Sequence, residues 1–194
     1  MSDDIDFTLN GHEVTAQPGE TIWQVADRLG TEIPHICHSP EPGYRSDGNC
    51  RVCMVEIEGE RVLAASCIRK PAQDMAVHSA TERAKTARKM VMELLVADQP
   101  PRESSHDPNS ELWHWAEEMG QTESRFPARR TPAPDTSHTA MAVNLDACIH
   151  CTRCVRFATE IAGVDDLGLL GRSEDVEITT YLEKSLDSEL SGNV

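Results

Sequence analysis

The sequence predicts an α+β chain of two small modules joined by a helical stretch, and three observations carry that expectation. Short runs of alternating hydrophobicity flank one amphipathic segment near the N-terminus. The 194 residues suffice for one sizeable domain or two small ones. The seven cysteines fall in two blocks, Cys37 to Cys67 and Cys148 to Cys154, about eighty residues apart.

The first element is a hairpin. IDFTLNGHEVTAQ sets Asn10-Gly11 between two alternating runs, a strong local signal for a two-residue turn. PGETIWQVADRLG then spaces Ile22, Val25, Ala26 and Leu29 as one face of a helix, and Gly30 suits the left-handed position that closes it. After a cysteine-bearing loop, CMVEIEGERVLAASC alternates Met54, Glu56 and Glu58 against Val55 and Ile57. It turns at Gly59 and resumes with Arg61, Val62 and Leu63. The order strand, strand, helix, loop, strand, strand is that of a small β-grasp domain, assigned to residues 1–78.

Composition narrows the chemistry. With 33 Asp and Glu against 18 Lys and Arg, the net charge of −15 argues against a phosphate-binding surface, since nucleic-acid affinity rests on clustered cations. The basic cluster Arg125, Arg129 and Arg130 reads as a docking patch or a solvated loop. The N-terminus is acidic, without the basic and apolar regions of an export signal, and no apolar run approaches the ~20 residues of a membrane span. The expected compartment is the cytoplasm, without membrane insertion. An odd number of cysteines in such a chain points to metal or cluster ligation before disulfides.

Cys37, Cys50, Cys53 and Cys67 are spaced C-x12-C-x2-C-x13-C, related to the plant-type ferredoxin run C-x4-C-x2-C…C with a longer first loop. Gly43 and Gly48 let that loop fold tightly and present amide N–H groups to an inorganic core. A [2Fe–2S] cluster on these four thiolates is the expected cofactor. The alternative from another class is a zinc-stabilised interaction module without redox activity, although structural zinc prefers two facing C-x2-C knuckles and only one is present here.

The stretch PHICHSPEPGYRSDGNCRVCMVEIEGERVLAASC resembles the N-terminal [2Fe–2S] domain shared by the large iron–sulfur subunit of respiratory complex I and the large (alpha) subunit of NAD-dependent formate dehydrogenases. Its PEPGYRSDGNCRVC phrase is more similar to the formate dehydrogenase branch. The resemblance implies an iron–sulfur relay whose partners are NADH/FMN-binding diaphorase subunits and a molybdopterin formate dehydrogenase subunit or, alternatively, a complex I arm. No nucleophile–base pair, phosphate loop or flavin motif is visible, so no turnover is expected of this chain alone.

Residues 79–121 form the helical segment. SATERAKTARKMVMELLVADQPP opens on a capping box, Ser79 to Glu82, and sets Ala84, Ala87, Val91, Leu94 and Leu95 on one face before Pro100 and Pro101 stop it. His78 reads as a surface residue. The complex I resemblance implies a site H-x3-C-x2-C-x5-C in HDPNSELWHWAEEM. His106 is present, but Ser110, Trp113 and Met119 replace the cysteines and none offers a thiolate. That site is expected to be degenerate, with Leu112, Trp115, Ala116 and Met119 as a packing stripe and with no role for His106 or His114.

Residues 122–140, with three prolines, read as a linker. Residues 141–194 read as a small ferredoxin-like cluster domain in which Cys148, Cys151 and Cys154 lead into a helix closed by Gly163. Two successive C-x2-C steps grip three corners of a cube, so the expected cofactor is a [4Fe–4S] cluster. His150 is expected to point away from it. The compact run C-x2-C-x2-C-x3-C-P would put a fourth cysteine at Ala158, so the remaining ligand must be remote. In the complex I family the sequence following this region resembles I-D-x-C-P-V-G-A-L, whose cysteine completes the cluster. The domain is therefore expected to be incomplete here, and its cluster missing, three-iron or completed by another donor.

Overall fold

The computed structural model describes residues 4–128, 133–134, 136, 143–172 and 175–180. Strands β1 (Ile5–Leu9) and β2 (His12–Ala16) pair antiparallel from Ile5↔Ala16 to Leu9↔His12. They turn on Asn10 and Gly11, both at positive φ (53° and 82°), the geometry that a tight hairpin with the native strand twist requires. Helix α1 (Ile22–Arg28) starts with a capping box of Thr21 and Gln24. Two of its remaining orphan donors are satisfied from outside the helix, Ile22 N by Arg69 O at 2.8 Å and Trp23 N by Ser66 O at 3.0 Å.

Strands β3 (Met54–Ile57), β4 (Ala64–Ala65) and β5 (Ala76–His78) complete a five-stranded sheet of order β2-β1-β5-β3-β4. β1 and β5 run parallel and the other pairs antiparallel. The expected return strand at Arg61, Val62 and Leu63 begins later, at Ala64, and Val62 is 61% exposed. The sequence alone gives no signal for β5. Its three residues carry no alternating pattern, and it is a strand because β1 and β3 hydrogen-bond to it on both sides.

Helix α2 (Glu82–Ala97) is capped by Thr81, whose hydroxyl accepts from Ala84 N at 3.1 Å. The expected cap Ser79 instead bonds Asn10 of the hairpin, its N–H to Asn10 Oδ1 at 2.8 Å, joining the helix entry to β1. The buried face is Ala84, Arg88, Met92 and Val96 with Glu93, whereas Leu94 of the expected stripe is 54% exposed. The helix is turned to suit a buried arginine that a hydrophobicity pattern alone would assign to solvent. Helix α3 (Glu111–Glu118) buries Leu112, Trp113, Trp115 and Ala116, with Met119 packed at the edge.

In the second block, helix α4 (Arg153–Arg156) widens into a π-type turn over Phe157–Ala162 and closes on Gly163 at φ 72°. β6 (Gly168–Leu170) and β7 (Glu177–Thr179) then pair antiparallel. Arg129 and Arg130, part of the linker and residues 181–194 lie outside the described residues. Arg125 of the expected basic cluster is in an ion pair with Glu93, Nε to Oε1 at 2.8 Å. Among the described residues no helix is long and apolar enough to cross a membrane.

Two apolar cores result. The first joins the sheet to α1 through Phe7, Leu9, Ile22, Trp23, Val55 and Val77, and it includes Cys53 and Cys67. The second joins α2 to α3 through Met92, Val96, Trp113 and Trp115, and it includes Cys37 and Cys50.

Candidate functional site

The four cysteines of the first block meet at the seam between the two cores, and all are at most 7% exposed. Cys53 immediately precedes β3 and Cys67 follows β4, so the β3–β4 pairing brings them together. Ser66 fixes the register of that pair by donating twice to Cys53 O, from its N–H at 3.1 Å and its hydroxyl at 2.8 Å. Cys37 and Cys50 form the second pair. Cys37 N donates to Cys50 Sγ at 3.4 Å, and Cys50 N donates to Cys37 Sγ at 3.5 Å. Arg51, at φ 59°, turns the backbone inside the C-x2-C step. Gly43 (φ 91°) leaves room that a side chain would not, since a Cβ there would stand 2.8 Å from Ile161 Cδ1.

Trp23 holds the loop from beneath. Its Nε1 donates to Ile33 O at 3.0 Å, and its ring meets those of His35 and His38 edge-on at 4.6 and 4.3 Å. The thiols share protons. Cys50 and Cys67 donate to Cys37, Cys67 also donates to Cys53, and this holds Cys37 and Cys53 below the usual thiol range while Cys50 and Cys67 are pushed above it. Two acceptor sulfurs already favour the thiolate that iron requires. Among the described residues no three His, Cys, Asp or Glu side chains converge on a single metal position. A two-plus-two arrangement suits two irons, each holding two thiolates, better than one tetrahedral zinc. Two buried nitrogens without an acceptor, Arg88 Nη2 and His38 Nε2, belong to residues beside these cysteines, as fits an anionic guest.

The second block is more open. Cys148 and Cys151 are half-buried and Cys154 is exposed. Although the residue as a whole is exposed, partial desolvation of its sulfur and then the Cys151 and Cys148 charges raise the Cys154 pKa, as for three thiols near one another. His150 and Thr152 are left-handed (φ 51° and 60°), so the backbone turns sharply between the cysteines.

The two blocks touch through residues that sequence reasoning missed. Arg156, 2% exposed, donates from Nη2 to Cys37 O at 2.5 Å and to Cys151 O at 3.2 Å, donates to Arg45 O, and pairs with Asp47 at 3.2 Å. Thr152 donates to Asp47 at 3.0 Å and accepts from Asn49 Nδ2 at 3.0 Å, while Arg153 donates to His38 O at 2.9 Å. Arg153 and Arg156 stand beside the cysteine motif in the sequence, but nothing there shows which loop they reach. Arg88 is legible as a cation at spacing four from Ala84 and Met92. His106 and Ser110 line a cavity of about 400 Å³ with Asp107, Glu111 and Arg153, whereas Trp113 is in the core.

Residues 2–82 match the family described as a 2Fe-2S iron-sulfur cluster binding domain, and residues 139–194 match the ferredoxin-like domain of NADH-quinone oxidoreductase subunit 3. Among curated relatives, NADH-quinone oxidoreductase subunits from Rickettsia bellii (strain RML369-C) and Rickettsia prowazekii (strain Madrid E) are each 36% identical over 193 residues, 98% of this chain and 28% of theirs. The chain thus spans under a third of the length of these relatives. A chain in the crystal structure of an NAD+-reducing [NiFe]-hydrogenase in its H2-reduced state superposes with a TM-score of 0.78 at 29% identity, over 91% of this chain and 74% of that one. Paired buried thiols on the five-stranded frame, a three-cysteine block docked against them and these matches agree. Over nearly its whole length the chain is thus similar to the large iron–sulfur subunit of the complex I family.

Proposed function

We propose that this chain is a one-electron relay module of an NAD-linked oxidoreductase complex. The observation that carries the reading is the two-plus-two set of buried cysteines at the seam of two cores. Cys37, Cys50, Cys53 and Cys67 would hold a [2Fe–2S] cluster, which when bound supplies reversible one-electron transfer. The chain's own residues exclude water from the four sulfurs, aim the Cys37 and Cys50 N–H groups at them, and fix the spacing to the second block through Arg156. Cys148, Cys151 and Cys154 would hold three corners of a [4Fe–4S] cluster, whose remaining donor is not among the seven cysteines of residues 1–194.

The relatives' names support an NAD-linked redox partner, for which we propose an NADH/FMN-binding diaphorase subunit. For the other we propose a molybdopterin formate dehydrogenase centre, on the PEPGYRSDGNCRVC phrase, with a complex I arm as the second reading favoured by the Rickettsia relatives. The division at residues 1–78, 79–121, 122–140 and 141–194 belongs to this proposal, as does the degenerate character of the His106 site. Anaerobically purified protein should be brown, bleach with dithionite and contain acid-labile sulfide. A colourless protein loaded with zinc would overturn the relay. His106→Ala should leave the iron content unchanged.

A further inference from the structure

Helix α2 buries Ala84, Arg88, Met92 and Val96 at a spacing of four, so Arg88 fills a place where an amphipathic helix carries an apolar residue. It is 7% exposed. Its Nε donates at 2.8 Å to Met54 O, the carbonyl of the residue after Cys53, and its Nη2 is wholly buried without an acceptor. Nearby acids are engaged elsewhere, Glu56 by Arg83 at 3.0 Å and Glu93 by Arg125 at 2.8 Å. Among the described residues Arg88 has no carboxylate partner. A guanidinium keeps its proton in proteins, so this charge is buried without a conventional counter-ion, an arrangement that costs several kcal/mol unless something anionic adjoins it. Burial pushes the Arg88 pKa down, and the charge that opposes that shift is on Cys53.

Four thiolates and two sulfides carry more negative charge than two irons neutralise, and reduction adds one electron without making or breaking a bond. Arg88 is the cation that the geometry places beside that charge. We propose that Arg88 is the buried counter-charge of the four-cysteine site, a positioning residue that favours the reduced state and so raises the reduction potential; this rests on the [2Fe–2S] reading above. When the site is empty of iron, the Cys53 sulfur is the charge that opposes burial of the guanidinium.

The test is an EPR-monitored redox titration of the iron-loaded full chain and of Arg88→Gln, Arg88→Met and Arg88→Lys, with iron and sulfide counted in each. The expected result is a more negative midpoint in the Gln and Met variants and a midpoint near that of the unmodified chain in the Lys variant. Iron-free Arg88→Met should unfold at the same or higher urea concentration than the iron-free parent, because a buried charge opposed only by Cys53, with Nη2 lacking an acceptor, has been removed. Loss of iron from the uncharged variants with native circular dichroism, and its retention in Arg88→Lys, would support the same role. An unchanged midpoint in Arg88→Gln, or equal shifts in Gln and Lys, would overturn the proposal while leaving the cluster reading intact. A parent chain that binds no iron would overturn both.

Discussion

The four-cysteine and three-cysteine blocks share the C-x2-C step, yet they end in different surroundings. In the first, sheet, α1, α2 and α3 each contribute a wall, and the sulfurs lie between two apolar cores. In the second, a short helix and a π-type turn carry the cysteines, and Cys154 faces solvent. Ligand spacing is therefore a weak guide to how well a site is shielded. Shielding follows from how many elements of separate sequence origin pack around it, and only the first block recruits four.

The contrast is broken most directly by exchanging one sulfur in each block. Cys53→Ser should abolish the axial EPR signal of the reduced [2Fe–2S] cluster, whereas Cys154→Ser should leave it intact. A signal surviving the first change would remove Cys53 from the ligands. Trp23→Ala should cost about 3–5 kcal/mol in urea unfolding, because a ring buried in the first core is lost together with its bond to Ile33 O. A cost under about 1 kcal/mol would mean that the loop carrying Cys37 does not depend on that ring.

Arg156→Ala tests the contact between the blocks. It should destabilise by about 3 kcal/mol by leaving Asp47 and several carbonyls without their donor. Hydrogen exchange should quicken over residues 148–164 while β1 and β2 stay protected. Equal quickening in both would mean that the blocks unfold as one unit. The smallest effect is electrostatic. Arg125 holds the Glu93 carboxyl below the usual carboxylate range, tying the start of the linker to α2. A depressed folded pKa stabilises above the ordinary carboxylate pKa and is lost as pH falls through the folded value. Glu93→Gln should accordingly flatten the acid limb of the stability curve by slightly lowering its neutral plateau, while the acid end stays nearly unchanged.

The hairpin turn, α1 with its closing glycine and the membership of each cysteine block could be read from the chain, because each is a local choice. Asn10 and Gly11 tolerate positive φ, Gly30 can end a helix, and thiolates at short spacing suit a metal cluster. The sequence likewise established the acidic balance that argues against a nucleic-acid surface. Tertiary structure alone decided the rest. It made a strand of Ala76–His78, because two neighbours offered their edges there, and it gave the cap of α2 to Thr81 by drawing Ser79 to Asn10. It also split the four thiols two and two between separate cores, turned Arg88 inward beside Cys53 and laid Arg156 across both cysteine loops. Periodicity reports which face of an element is apolar. It carries no term for a buried cation, whose favourable partner lies in another part of the chain and exists only once the fold has closed around it.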